Sequence, residues 1–207
     1  KARQLGMTTF IQLLILDACL FTSNITAGTL AHTLHDAEVI FKEKVRYPYQ
    51  QLPLALRRAI PAVGDSAREL AFANGSSLRV GTSLRSGTFQ YLHISEHGKI
   101  CARYPEKAAE IRAGALNTVH PGQRIFIEST ADGRDGDFHE FCMNARNRAA
   151  EGMALTALDF RFHFFAWWRH PGYVLAPDGV LAPERLARYF AGLSAVGIVL
   201  TSAQRAW

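Results

Sequence analysis

Cysteine is scarce: Cys19, Cys101 and Cys142 are the three in 207 residues, far apart and without paired spacing. That excludes a disulfide framework and a cysteine zinc site, and it fits a reducing, cytoplasmic setting. Long hydrophobic runs are also missing. The longest, Phe10 to Phe21, is roughly three turns of helix and carries Gln12 and Asp17, too short and too polar to cross a bilayer. No membrane span or membrane partner is expected, and no basic-then-apolar leader precedes the run. Gly/Ser-rich linkers, charge blocks, internal repeats and low-complexity segments are absent as well, so residues 1–207 read as a single domain. What is present is an ordinary globular composition, 48% hydrophobic and 20% charged. The formal charge of +5 permits an anionic partner such as DNA without selecting one.

Along the chain, apolar residues at helical spacing predict a helix over 9–21, stopped by Ser23-Asn24. A short strand is expected within 24–30. An amphipathic helix follows over 35–46, with Ala37, Ile40, Phe41 and Val45 on one side, and further helix near 51–60. Leu70 and Phe72, the Asn74-Gly75 turn, then Leu78 and Val80 give the alternation of a hairpin. Beyond it the pattern predicts strands at 89–94, 124–127 and 160–165, and helices at 105–116, 137–150 and 183–193. Strands alternating with helices indicate an α/β chain, its mostly parallel sheet covered on both faces and interrupted by one antiparallel hairpin.

Chemistry concentrates in three segments. The opening, Lys1-Ala2-Arg3-Gln4-Leu5-Gly6-Met7-Thr8-Thr9, is a basic, glycine-containing turn leading into a helix that starts with threonines. Backbone N–H groups at a helix start, with the positive end of its dipole, hold phosphate oxygens, and a hydroxyl there can ligand magnesium, which singles out Thr8. Met7 stands where a phosphate loop usually has lysine, so charge for the phosphates must come from Lys1 and Arg3. By spacing alone the segment fits equally well a basic pair ahead of a Thr-capped helix. The second segment, Tyr91-Leu92-His93-Ile94-Ser95-Glu96, is an apolar strand ending in a hydroxyl and a carboxylate. In P-loop ATPases such a strand end lies beside the phosphate loop, one side chain assisting magnesium and a glutamate orienting or deprotonating the attacking water. Glu96 is the expected base. Ser95 stands where an aspartate usually faces the metal, and its contact would run through water. A plain strand end with an exposed glutamate is the alternative. The third segment is the strand at 124–127 running into Glu128-Ser129-Thr130-Ala131-Asp132-Gly133, whose hydroxyls are placed to sense a γ-phosphate.

Together, "KARQLGMTT", "GTSLRSGTFQYLHISE" and "IFIESTADGRDGDFHEF" resemble, in this order, the ATPase segments of large terminase subunits of tailed bacteriophages. "SNITAGTLAHTLHDAEVIF" and "LDFRFHFFAWWRHPGY" extend the resemblance over most of the chain. It implies a P-loop NTPase-like fold and an ATP- and Mg2+-dependent motor of phage or prophage origin in the host cytoplasm. Such motors work as a homo-oligomeric ring that drives double-stranded DNA through a portal protein into a procapsid, with a small terminase subunit as partner. Carried over by motif position, Lys1, Arg3, Gln4, Gly6, Thr8 and Thr9 form a variant phosphate loop, and Glu96 is the catalytic carboxylate. Thr8, Ser95 and Glu96 hold magnesium, partly through water, and Ser129 and Thr130 belong to the motif coupling hydrolysis to DNA movement. Arg85 matches a position at which family members present an arginine to a neighbour's nucleotide, an ordinary loop arginine being the alternative. The resemblance also implies truncation at both ends: an upstream strand, an adenine-binding segment and a downstream RNase H-like nuclease domain are missing. A fragment of that kind is expected to bind ATP poorly or not at all.

Other features read as structural. His32 with His35, and His93 with His97, lack the shared face or third ligand that a metal site needs. Alternation of Phe160, Phe162 and Phe164 with Arg161 and His163 predicts one buried strand face, with Trp167-Trp168 covering an edge. Arg57, Arg58 and Arg68 read as scattered surface charge. Asp132, Asp135 and Asp137 do not fit a calcium loop, and Asp137 is expected to cap the following helix. Two further functions stay open on sequence: a catalytically inactive P-loop scaffold that binds DNA or partner proteins, and another P-loop DNA motor such as a helicase.

Overall fold

In the computed structural model, residues 2, 4–84, 87–119 and 122–207 are described. They fall into two units, Gly6–His163 and the pairing of Lys1–Leu5 with Phe164–Trp207.

The larger unit opens with helix α1, Met7–Phe21, which buries Ile11, Ile15, Leu16, Cys19 and Leu20 on one face together with Gln12. Strand β1, Thr26–Leu30, is followed by α2, Leu34–Phe41, whose start is capped by the Thr33 side chain accepting from the Asp36 N–H. A wide turn, Lys42–Arg46, carries α2 into α3, Tyr47–Gln51, and α4 spans Leu54–Ala59. Ala37, Phe41 and Val45 are fully buried along this stretch, as their spacing predicts. Strands β2 (Ala62–Asp65), β3 (Glu69–Phe72) and β4 (Ser77–Gly81) form an antiparallel ribbon. The expected hairpin joins β3 to β4 through Asn74-Gly75. Gly75 lies at φ 81°, where a Cβ would stand 2.4 Å from Asn24 Oδ1. Strand β5, Tyr91–Ser95, leads into α5, His97–Arg103, and α6, Pro105–Glu110; β6 is Arg124–Glu128 and α7 is Gly136–Ala150.

The six strands lie in the order β2-β3-β4-β1-β5-β6. β4, β1, β5 and β6 are parallel, β3 runs against them, and β2, antiparallel to β3, runs in their direction again at the edge of the sheet. One core joins α1 and α2 to β1, β3 and β4; the other joins α5, α6 and the turn Ile111–Ala115 to β1 and β5. Covering both faces explains why four of the five residues of β1, and four of the five of β5, are buried. The fold is therefore mixed α/β, with a mostly parallel sheet flanked by helices.

Two local expectations fail. Residues 160–165 are not a strand. Phe160 packs on Phe141 of α7, ring centroids 5.4 Å apart, whereas Phe164 is exposed, so the three phenylalanines do not form the one buried face expected. Asp137 is not the helix cap either: Asp135 takes that position, and Asp137 in the first turn pairs with Arg112 at 2.6 Å.

In the smaller unit, α8 (Glu184–Ala195) buries Phe190 and α9 (Ser202–Ala206) is closed by a Thr201–Gln204 capping box. Trp207 stacks between Trp167 and Tyr173, at centroid distances of 5.3 and 4.3 Å. No helix among the described residues is long and apolar enough to cross a membrane.

Gly28, in the middle of β1, lets a neighbouring loop press onto the sheet: a Cβ there would stand 2.6 Å from Leu84 Cδ1 and 2.9 Å from Phe89 Cε1. Gly28→Val should therefore overpack this contact and destabilise the fold by about 1–3 kcal/mol. The expected readout is a lower urea midpoint with an unchanged slope.

Candidate functional site

Because β4, β1, β5 and β6 are parallel, their carboxyl ends share one edge of the sheet, which is where α/β folds hold ligands. The start of α1 reaches the same edge. Thr8 Oγ1 donates to Glu128 Oε1 at 2.8 Å. Ser95 Oγ, at the end of β5, donates to the same oxygen at 2.9 Å. Ser95 and Glu128 are register partners across β5 and β6, so the strand ladder itself sets this contact. Glu128 is 8% exposed, a carboxylate nearly withdrawn from water.

A buried polar chain runs beneath it. His93 lies two residues before Ser95, on the same face of β5, and is fully buried. Its Nε2 stands 3.6 Å from Glu128 Oε1, and its Nδ1 is 2.7 Å from Gln12 Nε2. Gln12 Nε2 also donates to Thr29 Oγ1 at 2.9 Å. With the amide in this orientation Gln12 is the donor to His93, so the neutral ring carries its proton on Nε2, facing the carboxylate.

Immediately after β5 the chain turns through Glu96, whose φ of 54° lies in the left-handed region. The turn sends its carboxylate to the tip of β6, where Oε2 accepts from Thr130 Oγ1 at 3.0 Å and more weakly from the Thr130 N–H at 3.4 Å. Gly98 permits this approach: a Cβ there would meet Ser129 Oγ at 2.9 Å and the Thr130 carbonyl oxygen at 3.1 Å. His97 seals the space behind, lying against Phe138 and Phe141. Burial, opposed by Asp137, pushes its pKa down to about 4, so it packs as an uncharged ring.

At the start of α1, Gly6 is exposed at φ 71°, and the Phe10 N–H is bonded to the Gly6 carbonyl. The N–H groups of Met7, Thr8 and Thr9 therefore have no carbonyl within the helix to bond, the geometry that receives an anion at a helix N-terminus.

Of the residues singled out by sequence, Thr8, Ser95, Glu96 and Thr130 converge on the ends of β5 and β6. Gly6 and Thr9 sit at the helix start, and Ser129 is buried one residue past β6. Gln4, exposed at φ 55°, belongs to the smaller unit. Lys1, Arg3 and Arg85 lie outside the described residues. Sequence reasoning passed over Glu128, Gln12 and His93. The available signal was polarity out of place: Gln12 on the apolar face of a helix, and His93 and Glu128 within or ending apolar strands.

Among the described residues, no group of three or more His, Cys, Asp or Glu side chains is placed to hold a metal ion. The polar set here is two carboxylates and several hydroxyls, all oxygen, which suits a hard cation that keeps most of its water, such as Mg2+.

No protein-family model matches the chain. No curated protein matches it either. Solved structures do. The HK97 bacteriophage large terminase aligns with 100% of this chain at 14% sequence identity and a TM-score of 0.53, and the alignment spans 45% of that protein's length. The ATPase domain of a Thermus phage large terminase aligns over 77% of this chain and 69% of its own, at 18% identity and a TM-score of 0.49. The HK97 alignment shows a shared fold: this chain folds as part of a phage large terminase does.

The Gln12–His93–Thr29 cluster should be a stability determinant. Gln12→Met keeps the volume but leaves buried acceptors on His93 and Thr29 unpaired, for an expected loss of about 1–3 kcal/mol in chemical denaturation.

Proposed function

We propose that this chain is the ATP-hydrolysing motor module of a phage DNA-packaging terminase, which translocates double-stranded DNA into a procapsid. The observation that carries the reading is the turn at Glu96. A non-glycine residue held at positive φ directs a carboxylate from the end of β5 onto Thr130 past β6, at the sheet edge that the start of α1 also reaches. The shared fold with the HK97 large terminase supports it.

In this reading the N–H groups at the start of α1 bind phosphate oxygens, with Gly6 allowing their close approach. Gln4, Lys1 and Arg3 complete the loop, the latter two supplying the positive charge that Met7 does not. Thr8, Ser95 and Glu96 would hold magnesium through their oxygens, partly by way of water, and the ion would offset the charge that develops on the phosphates. The Glu96 carboxylate orients the attacking water and accepts its proton. Thr130 Oγ1 holds one oxygen of that carboxylate, so a change in its charge or position is felt by the segment after β6. Ser129 and Thr130 thereby couple hydrolysis to movement of DNA. Arg85 is assigned to the neighbouring subunit's nucleotide in a ring, with the portal protein and a small terminase subunit as further partners and the host cytoplasm as the place of action.

The test is DNA-stimulated phosphate release by the longest natural polypeptide that carries this sequence. Glu96→Gln should lower kcat by about two to four orders of magnitude while ATP binding stays within a few-fold. Hydrolysis that survives both Glu96→Gln and Arg3→Ala would remove this site from consideration. Nucleotide binding without any turnover in the natural protein would favour an inactive scaffold, and strand separation would favour a helicase. For Arg85, mixing Arg85→Ala subunits with Glu96→Gln subunits should restore part of the activity that each lacks alone, because both defects then fall together at some subunit junctions and leave others intact.

A further inference from the structure

Position 95 holds a hydroxyl where the chemistry calls for a metal-side carboxylate, yet a carboxylate sits directly beside it. Glu128 ends the adjacent strand, in register with Ser95, and places Oε1 2.9 Å from Ser95 Oγ and 2.8 Å from Thr8 Oγ1. We propose that Glu128 supplies the magnesium-side carboxylate that position 95 lacks, the acidic ligand having moved one strand across the sheet. The inference rests on the ATPase reading above.

Three observations carry it. The first is spacing. Neighbouring oxygens in an octahedral Mg2+ shell, with ligands at about 2.0–2.1 Å, stand about 2.9 Å apart. The Glu128 oxygen already stands at that separation from two hydroxyl oxygens, one from the phosphate-side helix and one from β5. A cation need only turn the hydroxyl protons aside; the oxygens are in place.

The second is burial. Withdrawing a carboxylate to 8% exposure costs several kcal/mol unless something repays it. A divalent cation offsets that cost directly, because its charge is opposite and it prefers carboxylate and hydroxyl oxygens.

The third is support from below. Metal-bound carboxylates are commonly held by a further hydrogen-bonding group that fixes their orientation. Here the Nε2–H of His93 faces Glu128 from 3.6 Å, and Gln12, bonded to His93 at 2.7 Å and to Thr29 at 2.9 Å, fixes that ring. Gln12 and His93 act as positioning residues, while Glu128 touches the ion.

The experiment titrates Mn2+, as a paramagnetic stand-in for Mg2+, into the longest natural polypeptide carrying this sequence with a non-hydrolysable ATP analogue, and reads bound ion by electron paramagnetic resonance. Glu128→Gln keeps the volume and an acceptor oxygen but removes the charge, and it should weaken Mn2+ binding by at least about tenfold. Adding Ser95→Asp to that variant should bring the affinity back to within a few-fold of the natural protein, a rescue that a purely structural glutamate would not allow. Natural-strength Mn2+ binding by Glu128→Gln, or failure of the rescue in a variant with natural circular dichroism, overturns the inference and leaves the ATPase reading standing. Should Glu128→Gln not fold, Ser95→Asp alone decides. It adds a second carboxylate to the same ion, so the Mn2+-induced rise in Tm should exceed that of the natural protein, and an unchanged rise counts against the inference. A natural protein that binds no metal–nucleotide at all takes down both readings together.

Discussion

Everything proposed for the carboxyl edge depends on one register, the parallel pairing of β5 with β6 that sets Ser95 opposite Glu128. A slip of one residue would turn the strand's alternate faces over, carrying Glu128 away from Thr8 and Ser95 and bringing an apolar neighbour into the polar chain. Burial on both sides prevents this. Leu92 and Ile94 point into one core, His93 and Ser95 into the other, and the His93–Gln12–Thr29 hydrogen bonds are satisfied in one register only. The polar chain thus costs stability locally, as any buried polar group does, and returns specificity of alignment at the place where ligand chemistry needs it.

Glu96 shows a different kind of constraint. Among the described residues, three other than glycine adopt positive φ: Gln4, Asn24 and Glu96. Asparagine tolerates that region because its short amide bonds locally. Glutamate has no such excuse, and the conformation costs about 1–2 kcal/mol. The bond to Thr130 and the abrupt start of α5 at His97 hold it there. With a relaxed extended backbone at Glu96, β5 would run on and the carboxylate would not turn toward the tip of β6. Strain at a single residue therefore converts a strand end into a directed carboxylate, which is the reason to assign it a chemical role.

Much of the architecture was legible because it rests on period and punctuation. α1, α2 and α7 announce themselves through apolar spacing, and the β3–β4 hairpin through Asn74-Gly75, where only a residue free to take positive φ fits the turn. Other elements were hidden for physical reasons. β2 is four residues long and mostly exposed, so it leaves no burial pattern to read. α5 follows β5 after a single residue, too short a break for composition to mark, and it begins with a buried histidine and glycine that resemble neither a cap nor an apolar face. Residues 160–165 deceived because a short aromatic alternation need not mark one buried face: Phe160 packs on a helix while Phe164 is exposed. At the site, Thr8, Ser95, Glu96 and Thr130 were legible as motif positions, whereas Glu128 was not. Its importance lies in a cross-strand register between residues 33 apart, and register is a property of the sheet and not of either segment.

The two departures from an ordinary phosphate-loop site have different remedies in the fold. The carboxylate absent at Ser95 is answered within the sheet by the neighbouring strand end. The cation absent at Met7 is not answered by the two lysines near the end of β1. Lys107 Nζ donates to the carbonyls of Ala31 and His32 at 3.0 and 2.8 Å, and burial lowers its pKa, so its ammonium is spent on closing the end of β1. Lys99 Nζ stands 3.0 Å from His32 Nε2, and burial first, then the Lys99 charge, lowers the pKa of that ring against the pull of Asp36. A side chain committed to strand-end carbonyls cannot also travel with a γ-phosphate during turnover. The proposed mechanism therefore draws the mobile positive charge of phosphoryl transfer from Lys1 and Arg3 and not from the lysines beside β1.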